Sequence, residues 1–498
     1  MLFNSFTFWL FFAAVFAVYC SLSHRWQNRF LLAASYFFYA WWDQAYPWSD
    51  IRHYRFVGLM FATSALDYFI GGRIAALQDR SARRRWLILS LVSNLGVLGF
   101  FKYFNFFVDS AQAAITALGF SVPPWHLAII LPVSISFYTF QSMAYTVDIY
   151  RDQVRPARSL RDYLLFISYF PHLVAGPINR PQSLLSQCEN PRRMTWDNWT
   201  QGAALIVFGL FKKIAVADML APLADQAFSQ PARCSAGTLL FGLYCFTFQI
   251  YADFSGYTDI ARGLAKLMGF ELMQNFNQPY FAANVTVFWR RWHISLSSWL
   301  RDYLYIPLGG SRHGAAKTYR NLFLTMFLGG LWHGANWTFA IWGALHGVYL
   351  AVHRLMLRSR KALDGPPQSG AGAHLVHLLK ILATFHLVAF AWIFFRAGTT
   401  GGGSAATIGR ALQYVAGLWP FGAAPANAVR FDSDAVAQAV AAVAALLILV
   451  DLPQYLKRDH CAVLRWRLPW RAAAFAALCL WLIMLRETEN VRFIYFQF

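Results

Sequence analysis

The first 24 residues contain no Asp, Glu, Lys or Arg, and runs of the same apolar, aromatic-rich character return along the whole chain. They lie near 5–21, 30–42, 56–72, 86–101 and 127–147, and again at 375–395, 435–451 and 472–485. A water-soluble domain cannot hide so many stretches of this length, whereas a bilayer accepts each as a helix whose backbone bonds close internally. Only 13% of the 498 residues are charged, against roughly 25% in soluble domains, so the supply of water-facing side chains is about half the usual. The chain therefore reads as an all-α polytopic membrane protein.

Its formal charge of +20 would suit a nucleic-acid binder, but the cations cluster between apolar runs, as in "RSARRR" (80–85) and "HRLMLRSRK" (353–361). Such clusters orient membrane proteins, because Lys and Arg are retained in cytoplasmic loops. Basic loops at 22–29, 73–85 and 149–162 alternate with mixed or nearly neutral ones at 43–54 and 102–126. This alternation predicts an N-terminus outside and a consistent out–in order through the first five spans. The first run carries no leading basic cluster, which predicts an uncleaved span. Six cysteines are scattered without a CxxC pair, so neither a disulfide framework nor a zinc site is indicated.

Residues 1–150 read as N-terminal spans, 151–350 as the chemically active core and 351–498 as C-terminal spans. A basic loop at 358–374, a Gly/Ala-rich outer segment near 399–406 and an outer tail at 486–498 belong to the last. The core differs from its flanks. Pro171, Pro177, Pro279 and Pro307 break its apolar runs, and His172, Lys212, Lys213, Gln249, Asp253, Asp259, Arg290, Arg291 and His293 lie within or against them. Broken helices and ionisable groups at membrane depth need surrounding protein or a water-filled cavity, which predicts short re-entrant or tilted segments here.

Among thirteen histidines, most neighbour basic loops or span ends, where an interfacial position suffices. His386, in mid-span, suits a helix–helix hydrogen bond, and His172 and His346 stay open between packing and a direct role. His293 lies in "FWRRWHISLSSWLRDYLYIPLGG" (288–310). At helical spacing Trp289, Trp292, Leu296 and Trp299 or Leu300 form an apolar arc opposite Arg290, Arg291, Ser298 and Arg301. That predicts an amphipathic segment at the cytoplasmic interface, its basic groups available for phosphates or acidic headgroups. His333 stands in "GGLWHGANWTF" (329–339), where Gly329, Gly330, Gly334 and Ala335 admit either another backbone or a thin ligand. A neutral imidazole there can take a proton from a hydroxyl in acyl transfer, and it can equally be a buried histidine satisfied by a carbonyl. The chain has no G-x-S-x-G elbow, H-E-x-x-H pair or Walker loop, which leaves metallohydrolysis and ATP-driven transport without support.

Several ordered stretches resemble the membrane-bound O-acyltransferases, in particular the alginate O-acetyltransferase type. They are "ASYFFYAWW" (34–42), "FFKYFNFFVDS" (100–110), "LPVSISFYTFQSMAYTVDIYR" (131–151), "FPHLVAGPINR" (170–180), "YADFSGYTDIARGLAKLMGF" (251–270), "NFNQPY" (275–280), "FWRRWHISLSSWLRDYLYIPLGGSR" (288–312) and "YRNLFLTMFLGGLWHGANWTFAIWGALHG" (319–347). The resemblance implies a ring of tilted transmembrane helices, with short re-entrant helices around a thin central core. It implies that His333 is the family's invariant histidine and His293 its second. An acetyl group would come from a cytoplasmic thioester, acetyl-CoA, with no bound cofactor or metal. It would reach a hydroxyl of an extracytoplasmic polysaccharide such as alginate at the bacterial inner membrane, with a separate extracytoplasmic acetyltransferase as partner. His333 would act as base and His293 would orient the donor or stabilise charge. Arg290, Arg291, Trp332 and Asn336 are the expected donor-side residues. Peptidoglycan O-acetylation and D-alanyl transfer use the same architecture. A non-enzymatic transporter of acylated lipid or sugar is the competing class, although no pair of related halves is visible.

Overall fold

A computed structural model describes residues 1–42, 47–121, 123, 125–174, 176–357, 371–419 and 428–484. The expected basic loop at 358–374 lies almost wholly outside these residues, and the outer tail lies entirely outside. Among the described residues the regular elements are all helices, and the one β-type pairing is an isolated bridge between Cys234 and Val429. Three stretches among the described residues are long and apolar enough to cross a bilayer: Arg80–Ala117, Gly372–Thr399 and Ser433–Lys457. Phe6–Ser21 and Leu468–Ile483 are apolar but shorter.

The chain divides into two compact units, one of residues 1–206 with 257–273, the other of 207–256 with 274–498. In the first unit the helices Arg55–Ala76, Arg80–Leu98 and Ile135–Tyr150 pack together. Their polarity is inverted relative to a soluble bundle. In Arg80–Leu98 the buried side chains include Ser90 and Asn94, while Ile88, Leu89, Val92 and Leu95 face outward. The buried polar groups meet one another: Ser90 Oγ and Asn94 Nδ2 donate to the Asp67 carboxylate at 2.6 and 2.7 Å, and Ser90 also bonds Thr146. Apolar groups outside and paired polar groups inside suit a hydrocarbon solvent. The same inward carboxylate and hydroxyls explain why this part of the chain looks less apolar than a lone span. The expected 102–126 loop is partly helix, since Arg80–Leu98 runs on through a π-helical turn to a helix over Phe104–Ala117. The span expected at 127–147 begins only at Ile135, because Pro132 sits ahead of it.

The second unit is built around a long helix and a helical hairpin. Ala236–Leu267 runs 32 residues, and its part up to Gly256 belongs to this unit. The hairpin pairs Ala315–His333 with Trp337–Met356 and is flanked by Ala371–Thr399 and Ser404–Gly417. The core region is short and broken only in part: Val285–Arg291 and Ile294–Leu300 are seven residues each, whereas Ala236–Leu267, Ala315–His333 and Trp337–Met356 run long.

Candidate active site

The hairpin closes because glycines let its two backbones touch. A Cβ on Gly343 would stand 2.3 Å from the Met326 carbonyl oxygen, and one on Gly330 would stand 2.2 Å from that of Phe339. Small residues at helix crossings permit this approach where lipid supplies no hydrophobic drive. Beside the turn, a Cβ on Gly334 would fall 2.1 Å from the Phe339 ring. Of the glycines flanking His333, only Gly330 meets another backbone; Gly334 meets the Phe339 ring and Gly329 the Leu300 side chain. Asn336 then starts the second helix as its N-cap. Its Oδ1 accepts from Thr338 N (3.0 Å), Thr338 Oγ1 (3.1 Å) and Thr407 Oγ1 (3.0 Å).

His333 is thereby held as the last residue of the first hairpin helix, with its side chain buried. Aromatic rings box it in. Ring-centroid distances are 5.0 Å to Trp332, 5.1 Å to Trp342 at 90° and 5.3 Å to Phe395. The His293 ring lies 6.3 Å away. Two imidazoles at this spacing can hydrogen-bond a single oxygen atom between them.

His293 corrects the expectation of one continuous amphipathic segment at an interface. The helix ends at Arg291, and His293 adopts a left-handed backbone (φ 42°) before the next helix starts at Ile294. Trp292 and His293 are both fully buried. Residues 275–277 bridge the break, as Asn277 N donates to Arg291 O and Ile294 N donates to Asn275 O, each at 2.9 Å. Two-turn helices with a strained residue between them re-aim an imidazole inward, which one amphipathic helix could not do. Phe254 packs edge-on to the His293 ring at 4.7 Å.

The four expected donor-side residues do not converge. Arg290 lines a cavity of about 460 Å³ with Arg301, Arg354, Thr286, Ser297, Ser298 and Thr325. Arg291 turns elsewhere, its guanidinium 5.2 Å from the Tyr455 ring centroid. Successive helical residues point about 100° apart, so adjacent arginines seldom share a site. Trp332 faces the two histidines, at 5.0 Å from His333 and 6.1 Å from His293, and Asn336 caps its helix.

Sequence reasoning gave no role to Asn275, whose Oδ1 meets His293 Nδ1 at 3.1 Å, although it lies within the quoted "NFNQPY". It also left unpaired the buried cluster in which Lys213 Nζ meets Asp218 (2.7 Å) and Asp253 (2.9 Å). The π-helical stretch Phe211–Asp218 supplies two of these residues, and widened turns of that kind are frequent at functional sites. Of the open histidines, His346 Nδ1 accepts from Trp289 Nε1 (3.3 Å), and His172 Nε2 meets Gln141 Oε1 (3.1 Å). His386 Nε2 meets Tyr244 OH at 2.8 Å, the inter-helix bond expected of it.

Residues 153–364 match the membrane-bound O-acyltransferase family. The chain is 46% identical over 402 residues to the protein named "Probable alginate O-acetylase AlgI" of Azotobacter vinelandii, covering 80% of this chain and 75% of that one. It is similar, again at 46% over 400 residues, to the protein of the same name from Pseudomonas aeruginosa, with 80% and 72% covered. A peptidoglycan O-acetyltransferase of Helicobacter pylori is 38% identical over 394 residues, with 74% and 70% covered.

Proposed function

Because this chain belongs to the membrane-bound O-acyltransferase family, we propose that it passes acetyl groups from a cytoplasmic thioester, acetyl-CoA, across the membrane to an acceptor hydroxyl, for O-acetylation of an extracytoplasmic polysaccharide such as alginate. The chain is an O-acetyltransferase and a membrane protein; donor, direction, acceptor and catalytic roles are what this reading adds. The observation that carries it is the pair of buried imidazoles, 6.3 Å apart in a wall of Trp and Phe rings. Such a box excludes water, the acceptor that would waste the thioester, while leaving a base beside the reacting hydroxyl.

The step balances without a cofactor. His333 takes the proton as the hydroxyl oxygen attacks the acetyl carbon, and the tetrahedral oxyanion collapses. The C–S bond breaks, and the departing thiolate recovers the proton. His293 orients the reacting groups. The cavity lined by Arg290, Arg301 and Arg354 suits the phosphates of a donor, and its hydroxyls add neutral hydrogen bonds. A polysaccharide of the alginate kind is favoured among acceptors by 46% identity to alginate O-acetylases, against 38% to the peptidoglycan enzyme and 29% over 246 residues to a teichoic acid D-alanyltransferase of Streptococcus thermophilus. The same reading takes the inner membrane as the location and an extracytoplasmic acetyltransferase as the partner that completes transfer to the polysaccharide.

The test is acetyl transfer from acetyl-CoA in proteoliposomes with His333→Ala and with the two arginines changed singly. Loss of transfer at unchanged protein level and insertion is expected for His333→Ala, and normal acetylation would overturn the reading. Arg290→Ala should raise KM for the donor while Arg291→Ala leaves it near wild type. Equal effects would remove the cavity from donor binding. A pure transporter would keep moving acyl groups without the imidazole.

A further inference from the structure

The contacts of Asn275 decide which nitrogen of His293 can act. Ser295 donates to Asn275 Oδ1 twice, from its backbone N–H at 3.2 Å and from its hydroxyl at 2.9 Å. A backbone N–H can only donate, so the Asn275 atom in this position is its oxygen. That oxygen is also the atom 3.1 Å from His293 Nδ1, which must then carry the ring proton. The other nitrogen, Nε2, is left with its lone pair. It is buried and meets no hydrogen-bond partner among the described residues. An acceptor atom held dry and unpartnered is costly, and proteins keep such atoms where a ligand completes them. Around the His293 ring stand Phe254, Phe276, Trp332 and His333.

We infer that Asn275 is a positioning residue that locks His293 in the Nδ1–H form, so that His293 Nε2 accepts a hydrogen bond from a second hydroxyl of the acceptor, beside the one that His333 deprotonates. The inference rests on the two-histidine acyl-transfer reading for the hydroxyl, but the locked tautomer stands on the Asn275 geometry alone. The left-handed turn at His293 and the Ile294 N–H bond to Asn275 O hold the two residues in register, so the lock is set by backbone as well as side chain. The proton on Nδ1 stays there throughout. The attacking hydroxyl's proton passes to His333 as its oxygen attacks, and the neighbouring hydroxyl keeps its own proton in the hydrogen bond to Nε2.

Nitrogen-15 spectra of histidine-labelled protein in lipid test the lock, with the His293 signals identified by their loss in His293→Gln. A protonated Nδ1 and bare Nε2 are expected in the native chain, and a tautomer mixture in Asn275→Leu. A protonated Nε2 in the native chain, or an unchanged spectrum in Asn275→Leu, would overturn the inference. In acetyl transfer, Asn275→Asp still accepts from Nδ1–H and Ser295 and should keep kcat. Asn275→Leu should lose about ten- to a hundredfold in kcat with little change in KM, less than the roughly 10²–10⁴ of a whole acid–base contribution. Native kcat in Asn275→Leu, or a loss confined to KM, would reject the positioning role. If Asn275→Leu does not fold, the native spectrum and the Asp variant still decide. Intact transfer in His293→Gln would strike the catalytic reading instead, with the tautomer still read from nitrogen shifts.

Discussion

Gly343→Ala adds one methyl group to the closest crossing in the hairpin. The new Cβ would lie 2.3 Å from the Met326 carbonyl oxygen and 3.1 Å from the Gly330 Cα, where ordinary contact begins near 3.4 Å. Both neighbours are backbone, so no side chain can swing away, and the two helices must part by about 1 Å. Overpacking of this kind costs about 1–3 kcal/mol. The kinetic penalty should be larger in proportion. His333 lies three residues after Gly330 on the displaced helix, and a misplacement of about 1 Å at a reacting group can cost about a hundredfold in rate. Gly96→Ala is the control, since nothing lies within 4 Å of its Cβ and an interior helical alanine gains up to about 1 kcal/mol. Thermal unfolding in detergent and acetyl-transfer kinetics in proteoliposomes read the two effects. Native kcat in Gly343→Ala would refute the view that backbone contact at the hairpin sets the position of His333, and equal impairment in Gly96→Ala would remove its specificity.

Other expectations follow from particular contacts. Asn336→Ala removes an N-cap and the acceptor that the Thr338 and Thr407 hydroxyls share, so stability should fall by about 1–2 kcal/mol in thermal melts. Lys213→Met leaves the Asp218 and Asp253 carboxylates buried together without their cation, a loss of about 3–5 kcal/mol, whereas replacing all three residues with apolar ones should recover much of it. Tyr244→Phe and His386→Phe, singly and together, should give a coupling near 0.6 kcal/mol in a double-mutant cycle, the usual size for bonds between helices in lipid.

Class and chemistry were legible along the chain because both depend on residue type and order. A run without charges has few places to go except hydrocarbon, and Pro279 and Pro307 bracket the two seven-residue helices, although the long Ala236–Leu267 helix lies between Pro171 and Pro279. His333 announced itself as an imidazole among glycines and tryptophans, and His293 as one among arginines. Periodicity misled at His293, because a helical wheel assumes the helix continues and a single left-handed residue ends it. It also made Arg290 and Arg291 look equivalent, although one lines a cavity and the other lies against Tyr455. The glycines near His333 allowed a ligand or a backbone, and only the folded chain shows Gly330 against backbone and Gly334 against the Phe339 ring. Asn275 lies 18 positions before His293, and Lys213 lies 40 before Asp253. Contacts across such separations depend on how helices fold back on one another, and no local pattern of hydrophobicity or propensity encodes that path.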